Sequence, residues 1–437
     1  MRYSLFSLLL LPLLFSACGK DSCEQSLTYT RLTPAFVSPA DFRNAPIVLE
    51  SSEGLRDPGR MYYYGQTLLI NERNRGIHLY DNRDPRHPVA LGYLAIPGNT
   101  DFVVRNGIVY ANQYTDLLAL DLSDPANVLV LDRTENISSP LETNAEGDIA
   151  TYYNREEVTE TVDCDARQRI EQRGFDCWNC EFFDRTAWNG TIDFAQFDNA
   201  GVGIFSPLAG TANSGSGTGG SMARFTLFKD HLYTVDERSL RAFTFDGPTV
   251  SLSGETPLWW GIETIIPHDE HLYIGSQTGM FIFETSNPAE PTQVGVFQHA
   301  RACDPVYVKD NFAYVTLRDG TPCAGFANQL DLVDVTDPTA PRLVESFGMQ
   351  HPHGLGIADD ELFVCEGEYG LKAFDISIPT TLDERPLWHA ERWHAYDVIP
   401  LPGDAPTLLM IGDDGFLQLD ISDPDQPELL STIPVIR

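Results

Sequence analysis

The sequence predicts an all-β fold, and three observations carry the prediction. A unit of alternating apolar residues closed by an acid and a proline recurs seven times. Each recurrence is preceded by two short apolar runs around a polar turn, the pattern of a β-hairpin. The closing residues Pro85, Pro125, Pro248, Pro288, Pro338, Pro379 and Pro424 are separated by 40, 123, 40, 50, 41 and 45 residues. Four antiparallel strands at this period make a propeller blade. The expectation is therefore a β-propeller of seven four-stranded blades over residues 46–437, with one long loop-rich insertion in the widest gap.

At the N-terminus, Arg2 precedes an apolar run from Ser4 to Ala17. That run is shorter than the roughly 20 residues of a bilayer crossing, so residues 1–17 read as a signal peptide. The segment Leu14-Phe15-Ser16-Ala17-Cys18 resembles a bacterial lipobox, with Phe15 where Leu is usual, which implies lipidation of Cys18. Gly19-Lys20-Asp21 is similar to the signal that exports some lipoproteins to the outer cell surface. The resemblance implies an outer membrane lipoprotein, surface-exposed, with the periplasmic face as the alternative. Membrane contact is expected through the lipid only, because later apolar clusters are broken within about eight residues.

Residues 18–45 read as a lipidated anchor and polar tether. Pro46-Ile47-Val48-Leu49-Glu50 reads as an extra outer strand parallel in pattern to Pro427-Glu428-Leu429-Leu430-Ser431, and one of the two is expected to close the ring. The hairpins follow as Met61–Ile70, Phe102–Ala111, Phe225–Val235, Thr264–Gly275, Asp304–Thr316, Leu355–Cys365 and Val398–Gly412. The acid and Pro that end each unit suit a tight turn, Pro presetting φ and the Asx carboxylate bonding nearby backbone N–H. Turn chemistry, with no catalytic role, is their expected use.

Residues 134–221, between blades 2 and 3, carry no acid-to-Pro repeat and end in a Gly/Ser-rich run, 210–220. They read as a lid or side module. Asp165 to Arg173 is expected as a short helix, with Asp165 as N-cap and Gly174 as terminator.

The repeats resemble those of the LVIVD-repeat bacterial lipoproteins, a family predicted to form β-propellers. The most specific stretches are Ile96-Pro97-Gly98-Asn99, Gly219 to Phe225, Cys303-Asp304-Pro305 with Tyr314 to Arg318, and Asp331 to Asp337. The resemblance implies fold and location and brings no activity with it.

Eight cysteines less the lipidated Cys18 leave seven, so one thiol is expected to stay free in an oxidising compartment. Cys303 precedes an inner strand and Cys323 follows its hairpin partner, which favours a disulfide between them. Cys164, Cys177 and Cys180 in the insertion offer a further structural disulfide. Cys177-Trp178-Asn179-Cys180 has the spacing of a zinc or redox motif, but a metal site needs four ligands and a redox motif a thioredoxin-like setting. Cys23 and Cys365 have no assignment.

With 29 basic against 63 acidic residues and a net charge of −34, the chain repels the nucleic-acid backbone. In a propeller, inner-strand starts and the loops between second and third strands face one side, around the central channel. That projection brings together Arg60, Asp101, Arg224, Glu263, Asp304, Arg318, His353 and Asp397 as ligand-binding candidates, on the same side as the insertion. For Asp101, Asp304 and Asp397 the plainer reading is a bond to the backbone of the neighbouring blade. His351-Pro352-His353 and Trp393-His394 lack the one-element spacing of a tetrahedral metal site. No metal and no cofactor are therefore expected, a structural divalent cation such as calcium being the exception the mixed channel mouth allows. Exposed aromatics such as Trp259-Trp260, Trp388 and Trp393 could stack on sugars, though blade packing is their ordinary use. The nucleophile-elbow, P-loop and dinucleotide fingerprints are missing in the required strand-turn-helix context.

These features point to a non-enzymatic module that binds an envelope protein or glycan on its channel face. The alternative is a propeller hydrolase or lyase, with or without metal assistance, using the channel acids and His353.

Overall fold

A computed structural model describes residues 24–437 except 53, 125–127, 141, 164–216, 237, 259–260, 300–304, 320–327, 404, 424 and 437. The chain divides into two units, residues 1–34 with 153–192, and residues 35–152 with 193–437. The described part of the smaller unit belongs to two long strands, Glu24–Val37 and Ile149–Asp163, which form a two-stranded sheet. Regular structure thus begins inside the stretch expected as a tether. The expected helix over Asp165 to Arg173 lies outside the described residues.

The larger unit is a β-propeller. Its described residues hold seven antiparallel sheets, each built on four consecutive strands. Blade 1 comprises Pro58–Tyr64, Thr67–Glu72, Gly76–Asp81 and Val89–Ala95. Blade 2 runs from Phe102–Arg105 to Leu129–Thr134, blade 3 from Phe225–Phe228 to Thr249–Pro257, and blade 4 from Ile262–His268 to Thr292–Gln298. Blade 5 runs from Val306–Lys309 to Arg342–Gly348, blade 6 from Leu355–Ala358 to Pro386–Ala390, and blade 7 from Asp397–Leu401 to Glu428–Pro434.

Burial follows position within the blade. Second and third strands, such as Thr67–Glu72 and Gly76–Asp81, are buried on both faces, which is why they read as nearly continuous apolar runs. Fourth strands are wetter: Val89, Leu129, Leu343 and Leu429 are exposed. In all seven blades the pairing of third and fourth strands slips at one place, from Leu79/Tyr80 in blade 1 to Gln418/Leu419 in blade 7. An extra residue on one strand increases local twist, and seven copies twist every blade's outer edge alike.

The acid-to-Pro turn proves to be a joint between blades. Asp81, Asp121, Asp334, Asp375 and Asp420 each accept a hydrogen bond from the backbone N–H two residues on, at 2.8–3.1 Å. The turn so fixed then docks on the preceding blade. Ser431 Oγ of blade 7 donates to the Pro85 carbonyl at 2.6 Å, and Tyr233 of blade 3 donates to the Pro288 carbonyl at 2.7 Å. At the slip of blade 4, a side chain on Gly295 would begin 1.9 Å from the Pro338 carbonyl oxygen, so only glycine lets the turn of blade 5 approach. One motif thus serves turn and interface.

Closure uses the C-terminal strand in its own blade. Glu428–Pro434 is the fourth strand of blade 7, and Leu55 bridges in parallel to Val435. The Asn82 and Gln418 side-chain amides pair reciprocally at 2.8 and 2.7 Å across the seam of blades 7 and 1. The other candidate, Leu49–Glu50, adds a fifth strand outside Val89–Ala95 of blade 1 and takes no part in blade 7. Ahead of it, a short helix, Pro39–Asn44, is held on blade 2. Arg43 makes a two-pronged contact at 2.7 and 2.8 Å with the buried Asp116, and Phe42 packs 5.0 Å from Tyr114. Among the described residues no helix is long and apolar enough to cross a membrane.

Candidate functional site

The segment that follows the insertion ties first strands of several blades to one another. After the insertion, Thr218–Gly219 pairs with Tyr63 and Tyr62 on the free edge of blade 1's first strand. A side chain on Gly217 would meet the Tyr62 ring at 2.4 Å, so this approach requires glycine, and Tyr62 donates to the Gly217 carbonyl at 3.1 Å. Ser221 Oγ then donates to Asp397 Oδ1 of blade 7 at 3.0 Å and accepts the Leu355 N–H of blade 6 at 2.8 Å. The Met222 carbonyl accepts from Arg60 of blade 1, and the Ala223 carbonyl accepts the Ile265 N–H of blade 4 at 3.0 Å. Seven residues thus tie together first strands from four blades.

The predicted ligand residues sort themselves around this segment. Arg60 is buried, with Nε 3.0 Å from the Thr100 carbonyl and 3.4 Å from Asp101 Oδ1. Asp101 Oδ1 accepts the Phe102 N–H, and Oδ2 accepts the N–H groups of Arg224 and Phe225 at 2.7 and 2.9 Å, fastening the start of blade 3. That is the plainer reading of Asp101. Burial raises the Asp101 pKa and pulls the Arg60 guanidinium down to about 10, so desolvation outweighs their mutual attraction. Asp397 goes further: burial pushes its carboxyl well above the usual range against Ser221 and the Val398 N–H, and Oδ2 has no hydrogen-bond partner. The Arg224 guanidinium reaches the Ile262 carbonyl at 3.4 Å, and Glu263 accepts from Gln277 at 3.4 Å. The cavity left beside Arg60, Asp101 and this segment measures about 20 Å³, near the size that holds one water.

Arg318 and His353 meet at the channel face of blades 5 and 6. Arg318 donates to His353 Nδ1. Since a guanidinium only donates, Nδ1 is the acceptor and the proton sits on Nε2, which donates to His351 Nδ1 at 3.2 Å. Burial first, then Arg318, His351 and His394, hold the His353 pKa well below its usual value. The imidazole is therefore neutral with both nitrogens engaged. Asp304, Cys18, Cys164, Cys177, Cys180, Cys303 and Cys323 lie outside the described residues, as do Trp259 and Trp260. Cys365 is a free, buried thiol whose pKa burial raises well above the ordinary value. Among the described residues, no three His, Cys, Asp or Glu side chains come together as a metal set.

What stays open lies off-centre, between blades 6 and 7. A cleft of about 320 Å³ is lined by Glu368, Glu391, Arg392, Trp393, His394, Asp413 and Asp414. Its residues come from the second-to-third-strand turns of both blades and the loop joining them. The Trp393 ring forms its buried floor, with the Arg392 guanidinium 4.2 Å above the ring centroid. His394 Nδ1 lies 2.6 Å from Asp413 Oδ2, and burial together with Asp413 raises the Tyr396 pKa. Glu368, Asp413 and Asp414 stand in the turns between second and third strands. Nothing local distinguishes them, because the cleft exists only where two blades diverge.

Fold and site together define a β-propeller whose first strands are cross-tied by residues 217–223 and which carries an open acidic cleft at blades 6 and 7. Residues 300–348 match the LVIVD repeat, the resemblance read from the sequence. No curated protein matches the chain. Similar solved structures include Saccharomyces cerevisiae Sqt1, at 10% identity and TM-score 0.47, over 85% of this chain and 96% of that one. The dihydro-heme d1 dehydrogenase NirN in complex with DHE is 10% identical with TM-score 0.48, over 93% and 73%. A protein from Lactobacillus plantarum is 10% identical with TM-score 0.44, over 82% and 94%. Nothing about this chain's chemistry follows from them.

Proposed function

We propose that this propeller is a lipid-anchored binding module of the cell envelope whose blade 6–7 cleft takes a basic segment of an envelope protein. The observation that carries the reading is the contrast between channel-side charges tied up within the chain and an open cleft edged by Glu368, Glu391, Asp413 and Asp414. A Lys or Arg side chain entering there meets carboxylates at the rim, which supply charge-assisted hydrogen bonds and orientation. The overall charge of −34 adds long-range attraction for a cationic partner. Against the hydrolase or lyase alternative at the channel mouth, both His353 nitrogens are engaged by Arg318 and His351.

Cross-linking capture from intact envelopes tests this, with wild-type chain beside Glu391→Gln/Asp413→Asn/Asp414→Asn. Capture of a defined partner that weakens at least tenfold in the variant, and weakens with added salt in the wild type, is the expected result. Equal capture by both proteins rejects the cleft. Protease added to intact cells reports the compartment in the same preparation: digestion is expected at the surface, and protection until outer-membrane rupture places the chain in the periplasm.

A further inference from the structure

A second cluster lies at the seam of blades 7 and 1, apart from the cleft. Ser52 sits in the segment that leads from Leu49–Glu50 into the first strand of blade 1, and it is half-buried. Its Oγ is 3.1 Å from His78 Nδ1, and His78 Nε2 is 3.0 Å from Glu72 Oε2. His78 and Glu72 are buried. Glu72 is fixed in turn, accepting the Arg56 N–H at 3.1 Å and the Asp57 N–H at 2.5 Å. Burial would raise its pKa, but His78 and these two N–H groups outweigh burial and hold it below the usual carboxylate value. Glu72 is thus an ionised acceptor. His78 Nε2 therefore donates to Glu72, and in the neutral imidazole this tautomer turns the Nδ1 lone pair to the Ser52 hydroxyl.

We propose that Ser52, His78 and Glu72 form a nucleophile, base and orienting acid for hydrolysis of a carboxylic ester. The arrangement meets the geometric requirement for an activated serine, with base and orienter each within hydrogen-bond reach. It differs from the familiar triad in using Nδ1 toward the serine, which the second-strand position of Glu72 and third-strand position of His78 impose. Tyr80, two residues beyond His78 on the same strand face, is hydrogen-bonded to the Ser52 side chain.

The reaction balances without a further reagent. Ser52 Oγ bonds to the ester carbonyl carbon as its proton passes to His78 Nδ1, leaving the carbonyl oxygen as an oxyanion. The bond to the leaving oxygen breaks as His78 returns the proton, and the alcohol departs. Water then adds to the acyl group, giving its proton to His78. The acid leaves as Ser52 recovers that proton.

The probe is an alkyl fluorophosphonate incubated with the full chain, followed by peptide mapping. One adduct on Ser52 of native protein is expected, absent after denaturation and reduced at least tenfold in His78→Asn. p-Nitrophenyl acetate turnover should fall by a similar factor in Ser52→Ala. No adduct on native wild-type protein overturns the proposal whatever the variants do. So does labelling of equal extent in folded His78→Asn, which would leave the cluster the structural task of pinning Ser52, Arg56 and Asp57 to blade 1.

Discussion

The centre of the ring and its rim between blades 6 and 7 use the same residue types to opposite ends. At the centre, Arg60, Asp101 and Asp397 are removed from water and tied to backbone, to Ser221 or to each other. At the rim, Asp413, Asp414, Glu368 and Glu391 stand exposed around a cleft. Charge near a propeller axis is therefore no sign of a ligand. Whether the chain has already spent that charge on itself decides.

The sharpest way to break the comparison is to remove one charge from each region. Asp101→Ala removes the carboxylate beside the buried Arg60 and frees the Arg224 and Phe225 N–H groups, so a loss of about 3–5 kcal/mol is expected. Asp413→Ala at the rim removes a largely exposed pair with His394 and should cost at most about 1 kcal/mol. Urea denaturation of both variants checks this, and equal losses would erase the distinction drawn here.

Next in size is the segment 217–223. Ser221→Ala deletes one donor and one acceptor in a buried setting and should cost about 1–3 kcal/mol. Partner capture through the cleft should be unchanged per folded molecule. If capture rises instead, the segment competes with a channel ligand and the centre is a site after all.

The smallest effect is in pH. A carboxyl whose folded pKa is raised, as at Asp397, binds its proton more tightly in the folded state. Its stabilising contribution is present below the unfolded value of about 3.9 and is lost as pH rises through the folded pKa. The turn acids Asp81, Asp121, Asp334, Asp375 and Asp420 are held low by their hydrogen bonds and behave oppositely, losing their contribution as pH falls below about 3.9. Asp397→Asn should therefore flatten the decline of stability above pH 4, by up to about 1.4 kcal/mol per pH unit per proton, and leave the acid limb intact. Denaturation midpoints measured from pH 3 to 8 report both limbs.

The sequence by itself determined the repeat architecture, because blade formation is local. Apolar alternation buries the second and third strands, and an Asx carboxylate reaches only two residues ahead, so both signals survive in linear order. Asp101 bonding the next blade's backbone was legible for the same reason: the position recurs. The meaning of Gly219 to Phe225 was not legible. That stretch was specific in sequence, yet its partners are Tyr62, Asp397, Leu355 and Ile265, brought near only by ring closure. The helix that pairs Arg43 with Asp116 was hidden likewise, 73 residues separating its two charges. Ser52, His78 and Glu72 belong to the same class, since no spacing marks a loop serine that meets a third-strand histidine. Tertiary structure alone decided which charges the fold consumes and which it leaves to solvent, because desolvation depends on what the rest of the chain places around a group.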